Sequence, residues 1–96
     1  MQDLENALAD LNEAVNNQPD FFPLYFSRAV VRFKQLEYER VSQSYEKKGK
    51  ELRERPMLKA ADYNLIKQDL DKVIELVPDF VYAYYNRGNV LVAMKD

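Results

Sequence analysis

Cysteine and histidine are both absent from the 96 residues. With them go disulfides, thiolate nucleophiles, Cys/His zinc sites and imidazole bases. Glycine occurs only at Gly49 and Gly88, each standing alone, so no glycine-rich loop is present to cradle a phosphate. No apolar run approaches the length of a membrane span, and the opening Met-Gln-Asp-Leu-Glu is acidic, without a signal peptide's apolar stretch. The lack of cysteine does not fix a compartment: the chain reads as soluble, cytoplasmic, or exported if a longer parent carries the signal. A net charge of −2 makes no general electrostatic case for nucleic acid or a membrane surface. The acids are poorly placed for catalysis. Asp69 with Asp71 and Glu37 with Glu39 are i,i+2 pairs, which point away from each other on a helix. The sequence therefore predicts no catalytic residue, no metal ligand, no cofactor and no small-molecule substrate.

What is present favours helix. A hydrophobic fraction of 47% rules out disorder throughout. The abundance of Ala, Leu, Glu, Lys and Gln points to an all-α chain. The strongest internal signal is a repeat. Asp10-Leu11, Pro19-Asp20-Phe21, Tyr25, Arg28 and Val31 recur as Asp69-Leu70, Pro78-Asp79-Phe80, Tyr84, Arg87 and Val90, every pair offset by 59 positions without a gap.

Each copy reads as helix, tight break, helix. Leu4, Ala7, Leu8, Leu11, Ala14 and Val15 recur at three- and four-residue steps, as do Leu65, Ile66, Leu70, Val73, Ile74 and Val77. Pro19 and Pro78 end these stripes, because proline lacks the N–H and disfavours helical geometry before it. Asp20 and Asp79 are then expected to cap the following helices, the first with Pro23 in its opening turn. Pro56 suits the first turn of a helix through Met57, Leu58 and Ala61. The pattern predicts four helices near 3–17, 21–41, 57–77 and 80–94, with a charged excursion between the middle two.

These residues resemble the tetratricopeptide repeat, whose pattern is aromatic-x2-Leu-Gly-x2-Tyr on one helix and Ala-x3-Phe-x2-Ala-x4-Pro on the next. The first half appears as Tyr84-x2-Arg87-Gly88-x2-Leu91 and, more loosely, as Tyr25-x2-Arg28-Ala29-x2-Arg32. The second appears as Ala7-x3-Leu11-x2-Ala14-x4-Pro19 and as Ile66-x3-Leu70-x2-Val73-x4-Pro78. The resemblance covers nearly all of the chain except about residues 38 to 55. It implies a single domain over 1–96, a short right-handed solenoid of antiparallel helices. Residues 3–19 would be the second helix of one repeat, 20–78 a complete repeat with an insertion at about 38–56, and 79–96 the first helix of the next. Small residues at Ala7, Ala14, Ala29 and Gly88 would let helix axes approach closely.

Three features depart from that pattern. The repeat is 59 residues long, against about 34 in the family. Arg28 and Arg87 stand where the pattern has leucine, and a guanidinium on a packed face requires a partner; each is expected to pair with Asp10 or Asp69. The chain also begins on the second helix of one repeat and stops on the first helix of another, so it reads as a piece of a longer array. The face of the last helix carrying Tyr84, Leu91 and Met94 is expected to lack cover and to favour self-association.

For function the resemblance implies a concave groove lined by first helices, holding an extended peptide or a partner helix. Phe26, Ser27, Val30 and Phe33 would come from one helix, and Tyr82, Tyr85, Asn86 and Asn89 from the next, rings supplying area and amides bonding a peptide backbone. Against it stands packing of Phe26, Val30 and Phe33 within the parent protein, which would make the segment purely architectural. A receptor for chaperone tails is disfavoured, since Phe26 and Val30 supply no cation. The stretch from Arg40 to Lys59 holds seven basic and three acidic residues, net +4, leaving −6 for the remainder. It offers a basic hairpin for an acidic partner or, less readily, RNA, although a solvated helix tip explains it as well. Tyr45 alone makes no stacking platform for a single strand.

Overall fold

The 59-residue repeat is written into the hydrogen bonds of the two tight turns. The Gln18 N–H donates to the Ala14 carbonyl at 2.8 Å, and the Val77 N–H to Val73 at 2.7 Å. The Phe21 and Phe80 N–H groups return to the carbonyls of Gln18 and Val77 at 3.2 and 3.1 Å. The carbonyls of Phe21 and Phe80 then accept from Leu24 and Ala83, both at 3.1 Å. Each Pro-Asp pair therefore lies within a turn, and the phenylalanine after it is the residue that opens the next helix. The expected side-chain caps do not form. Asp20 and Asp79 are exposed and accept no side-chain hydrogen bond among the described residues, because they precede the capping position by one residue. Tyrosine completes each turn instead: the Tyr25 hydroxyl donates to the Pro19 carbonyl at 2.6 Å, and the Tyr84 hydroxyl to Pro78 at 2.7 Å.

This architecture comes from a computed structural model that describes the backbone of residues 2–46 and 55–95 and the side chains of residues 3–40 and 60–95. The described chain is all-α, with helices α1 (Gln2–Asn17), α2 (Phe22–Glu46), α3 (Arg55–Leu76) and α4 (Val81–Lys95). Two boundaries differ from the sequence expectation by more than one residue. Helix α2 runs on through Ser42–Glu46, and α3 opens at Arg55 with Pro56 in its first turn. The sequence Ser42–Glu46 is polar and carries no apolar periodicity, so the pattern ended at Val41. Gly49, within the charged excursion, and nearly all side chains of the basic Arg40–Lys59 stretch lie outside the described residues.

Successive helices pack in chain order, α1 on α2, α2 on α3 and α3 on α4. Helix α3 is central and holds three large, fully buried side chains, with Ile66, Leu70 and Val73 all at or below 1% exposure. Full burial of each such side chain contributes about 1.5–3 kcal/mol. One cluster joins Ala29 and Leu36 of α2 to Tyr63, Ile66 and Leu70 of α3 and Val90 of α4. A second joins Val15, Tyr25, Val73 and Ala83 beside the two turns, with Phe22, Phe26 and Phe80 packed against it. The outer copies of the repeat are covered on fewer sides. Ala7, Leu11 and Ala14 of α1 are half-buried, Leu91 of α4 is exposed, and Gly88 of α4 has open space where a side chain would stand; on the central α3, Leu65 alone of the expected stripe is exposed. The close approach expected at Gly88 is thus not made among the described residues. Met94, expected to be uncovered, packs against the first cluster.

The two arginines find partners, but not as the repeat alone suggests. Arg28 binds Asp69 through two hydrogen bonds, Nη2 to Oδ1 at 2.7 Å and Nε to Oδ2 at 2.9 Å, and Arg32 adds a third at 3.2 Å. Bonding to Asp69 raises the Arg28 pKa despite burial, while burial lowers that of Arg32. Arg87 does not reach Asp69 or Asp10. Its Nη1 donates to Asp71 Oδ1 at 2.9 Å, just as Arg28 Nη1 donates to Asn12 at 3.0 Å, and residues 12 and 71 are repeat equivalents. The reason is geometric: residues two apart on a helix face different neighbours, so Asp69 serves α2 and Asp71 serves α4. Asp10 is exposed and pairs with neither arginine.

Candidate functional site

A cleft runs between α2 and α4 with α3 as its floor. Its deepest part is an apolar depression of about 220 Å³. Ile66 and Leu70 of α3 and Ala29 of α2 lie at its base, walled by Val30, Phe33 and Lys34 on one side and Asn86 and Val90 on the other. The i, i+3, i+4 spacing of 30, 33 and 34 places those three residues on one stripe of α2. Phe33 also borders a second depression of about 280 Å³, more polar, lined by Glu37, Arg40, Tyr63, Asn89, Val92 and Ala93. The two hollows together make one cleft with an apolar end and a polar end.

Four of the eight residues assigned to a groove line this cleft: Val30, Phe33, Asn86 and Asn89. Phe26 instead stacks edge-on against Phe80 at 5.3 Å, and Tyr82 meets the same ring at 5.8 Å. Ser27 and Tyr85 are exposed and line neither hollow. Asn86 spends its Nδ2 on the Tyr82 carbonyl of its own helix at 2.7 Å, leaving the Oδ1 as its open acceptor. Sequence reasoning missed Lys34, Glu37, Tyr63 and the floor formed by Ile66 and Leu70. The signal for Tyr63 lay in its place on the apolar face of α3, seven residues before Leu70.

Tyr63 is buried with its ring 6.2 Å from Phe33, yet its hydroxyl makes no hydrogen bond among the described residues. Burial, and then the negative charge of Glu37, raise its pKa above the ordinary phenol value. Glu37 is itself held by Arg40 at 2.7 Å. The polar end of the cleft therefore offers a neutral hydroxyl beside an ion pair and the Asn89 amide. On the opposite face, a broader polar depression of about 320 Å³ lies over Leu8, Arg32, Gln35, Leu36, Glu39, Asp62 and Leu65.

Among the described residues no group of three or more His, Cys, Asp or Glu could hold a metal ion, and no helix is long and apolar enough to cross a membrane. No family model, curated protein or solved structure matches the chain.

Proposed function

We propose that the chain is a non-catalytic interaction scaffold of the tetratricopeptide kind, and that the α2–α4 cleft receives an extended peptide or the edge of a partner helix. The observation that carries this reading is the apolar hollow of about 220 Å³ floored by Ile66 and Leu70. Small-molecule sites occupy roughly 300–1,000 Å³ and enclose most of their ligand. Neither hollow of the α2–α4 cleft, about 220 and 280 Å³, reaches that range by itself, which suits one peptide side chain apiece. An apolar anchor at Val30 and Phe33, followed by a polar residue reaching Tyr63 and Asn89, describes the ligand. Lys34 at the rim favours an acidic residue beside the anchor.

A displayed library of random peptides, selected on the folded chain, supplies the ligand. Titration of a selected peptide into isotope-labelled protein then maps the site. Amide shifts concentrated at Val30, Phe33, Asn86 and Asn89 support the cleft. Shifts concentrated on another face, or a selection that yields no binder, remove it.

A further inference from the structure

We propose that α4 carries a docking face for a second copy of this chain, which seats its α1 and its Phe21 there in a head-to-tail contact. This face lies apart from the cleft, and repeat-equivalent residues on α2 and α4 differ in how they are covered. On α2, Phe22, Tyr25, Phe26 and Ala29 are covered by α3 and by Phe80. Their equivalents on α4, 59 positions on, are Val81, Tyr84, Tyr85 and Gly88. Val81 and Tyr85 are 70% and 68% exposed, Tyr84 and Leu91 are each 43% exposed, and Gly88 faces open space. Large apolar side chains gathered on one face at such exposure mark an interaction surface.

The same molecule supplies the complement. The groups that cover α2 are Asp69 and Leu70 of α3 together with Phe80, and their equivalents are Asp10, Leu11 and Phe21. Phe80 is half-buried between Phe22 and Phe26, at 5.0 and 5.3 Å. Its equivalent Phe21 is 51% exposed. Asp69 is buried under Arg28, while Asp10 is exposed and has no ion pair among the described residues. Setting α1 of one copy on α4 of another therefore places Asp10 against Arg87 and Phe21 against Val81 and Tyr85. Each contact reproduces one already made within the chain. The opposite charges fix the register, and the aromatic contact supplies the buried area. Such a contact is heterologous, so it stacks copies rather than closing a symmetric dimer.

Analytical ultracentrifugation of the whole chain and two variants tests this. Asp10→Arg blocks the α1 face and Tyr85→Arg blocks the α4 face; both side chains are exposed, and circular dichroism checks that each variant is folded. The wild-type chain is expected to associate as concentration rises, and each variant to weaken association at least tenfold. An equimolar mixture of the two variants is expected to form a dimer that grows no further, since one intact α4 face meets one intact α1 face. A wild-type monomer up to about 1 mM, the weak end of specific association, overturns the proposal. So does association that survives either substitution, and so does a mixture that stays monomeric.

Discussion

Asn12 and Asp71 stand 59 positions apart and fill the same place: each accepts a hydrogen bond from the Nη1 of the arginine 16 residues downstream. The recurring element is thus a short bridge between a helix and its successor, in one copy to a neutral amide and in the other to a carboxylate. Asp69 is a different device. It joins α3 back to α2 and gathers two guanidinium groups on one buried carboxylate.

Removing Asp69 should be the most damaging single polar change. Asp69 is 4% exposed, and its carboxylate satisfies Arg28 and Arg32 together. Asp69→Ala leaves two partly buried cations facing each other and is expected to cost about 3–5 kcal/mol. The double substitution Arg28→Met, Asp69→Leu should cost less than Asp69→Ala alone, because it removes one of the two stranded cations and leaves only Arg32 without its carboxylate. Urea unfolding of the three proteins decides the order.

Asp71 predicts an acid dependence. Burial alone would raise its pKa, but hydrogen bonds from Arg87 and Lys67 outweigh it and hold the carboxyl below its ordinary value. A depressed folded-state pKa contributes stability above the unfolded pKa near 4, and that contribution is lost as pH falls through the folded value. The carboxylate is 40% exposed, so the contribution is small, under about 1 kcal/mol. Asp71→Asn reproduces the Asn12 bridge and is expected to keep most of the stability at neutral pH. Thermal unfolding between about pH 5 and pH 2 should show a shallower acid decline in the variant than in the parent.

The two tyrosine hydroxyls provide a matched pair. Both donate to the carbonyl of the turn proline six residues earlier, at nearly equal distances. Tyr25 is buried and Tyr84 is 43% exposed, so water can replace the second bond more readily than the first. Tyr25→Phe is expected to cost about 1 kcal/mol and Tyr84→Phe under about 0.5 kcal/mol. Denaturant melts in which Tyr84→Phe is the more damaging would contradict the burial argument.

The helices and the repeat were legible because their signals are local. Proline ends a helix that runs into it and is tolerated only in a first turn, as at Pro23 and Pro56, and the Pro-Asp-Phe turn needs only its own residues. The partners of the arginines were harder. A search for matching charges finds Asp10 and Asp69, whereas the recurring bridge uses Asn12 in one copy and Asp71 in the other. The repeat pairs like with like, so it could not distinguish the face of α3 that looks to α2 from the face that looks to α4. The groove suffered for a related reason. Residues taken from two first helices by analogy omit the floor, and Tyr63, Ile66 and Leu70 belong to the helix beneath. Phe26 was misplaced because Phe80, at the start of α4, claims its ring before any ligand can.

The cleft makes the last prediction, and three substitutions separate it from its surroundings. Val30→Arg places a long cation across the apolar hollow and is expected to lower affinity for a selected peptide at least tenfold, about 1.4 kcal/mol. Tyr63→Phe keeps the packing against Phe33 and removes only the hydroxyl. It should weaken binding by about threefold to tenfold, the worth of one hydrogen bond, with little change in stability, since that hydroxyl has no partner to lose among the described residues. Tyr85→Ala lines neither hollow and should leave peptide affinity unchanged while weakening association between copies. Fluorescence anisotropy with a labelled peptide reads all three. If Tyr85→Ala lowers affinity more than Val30→Arg, the peptide sits on the outer face of α4 and the cleft is not its site.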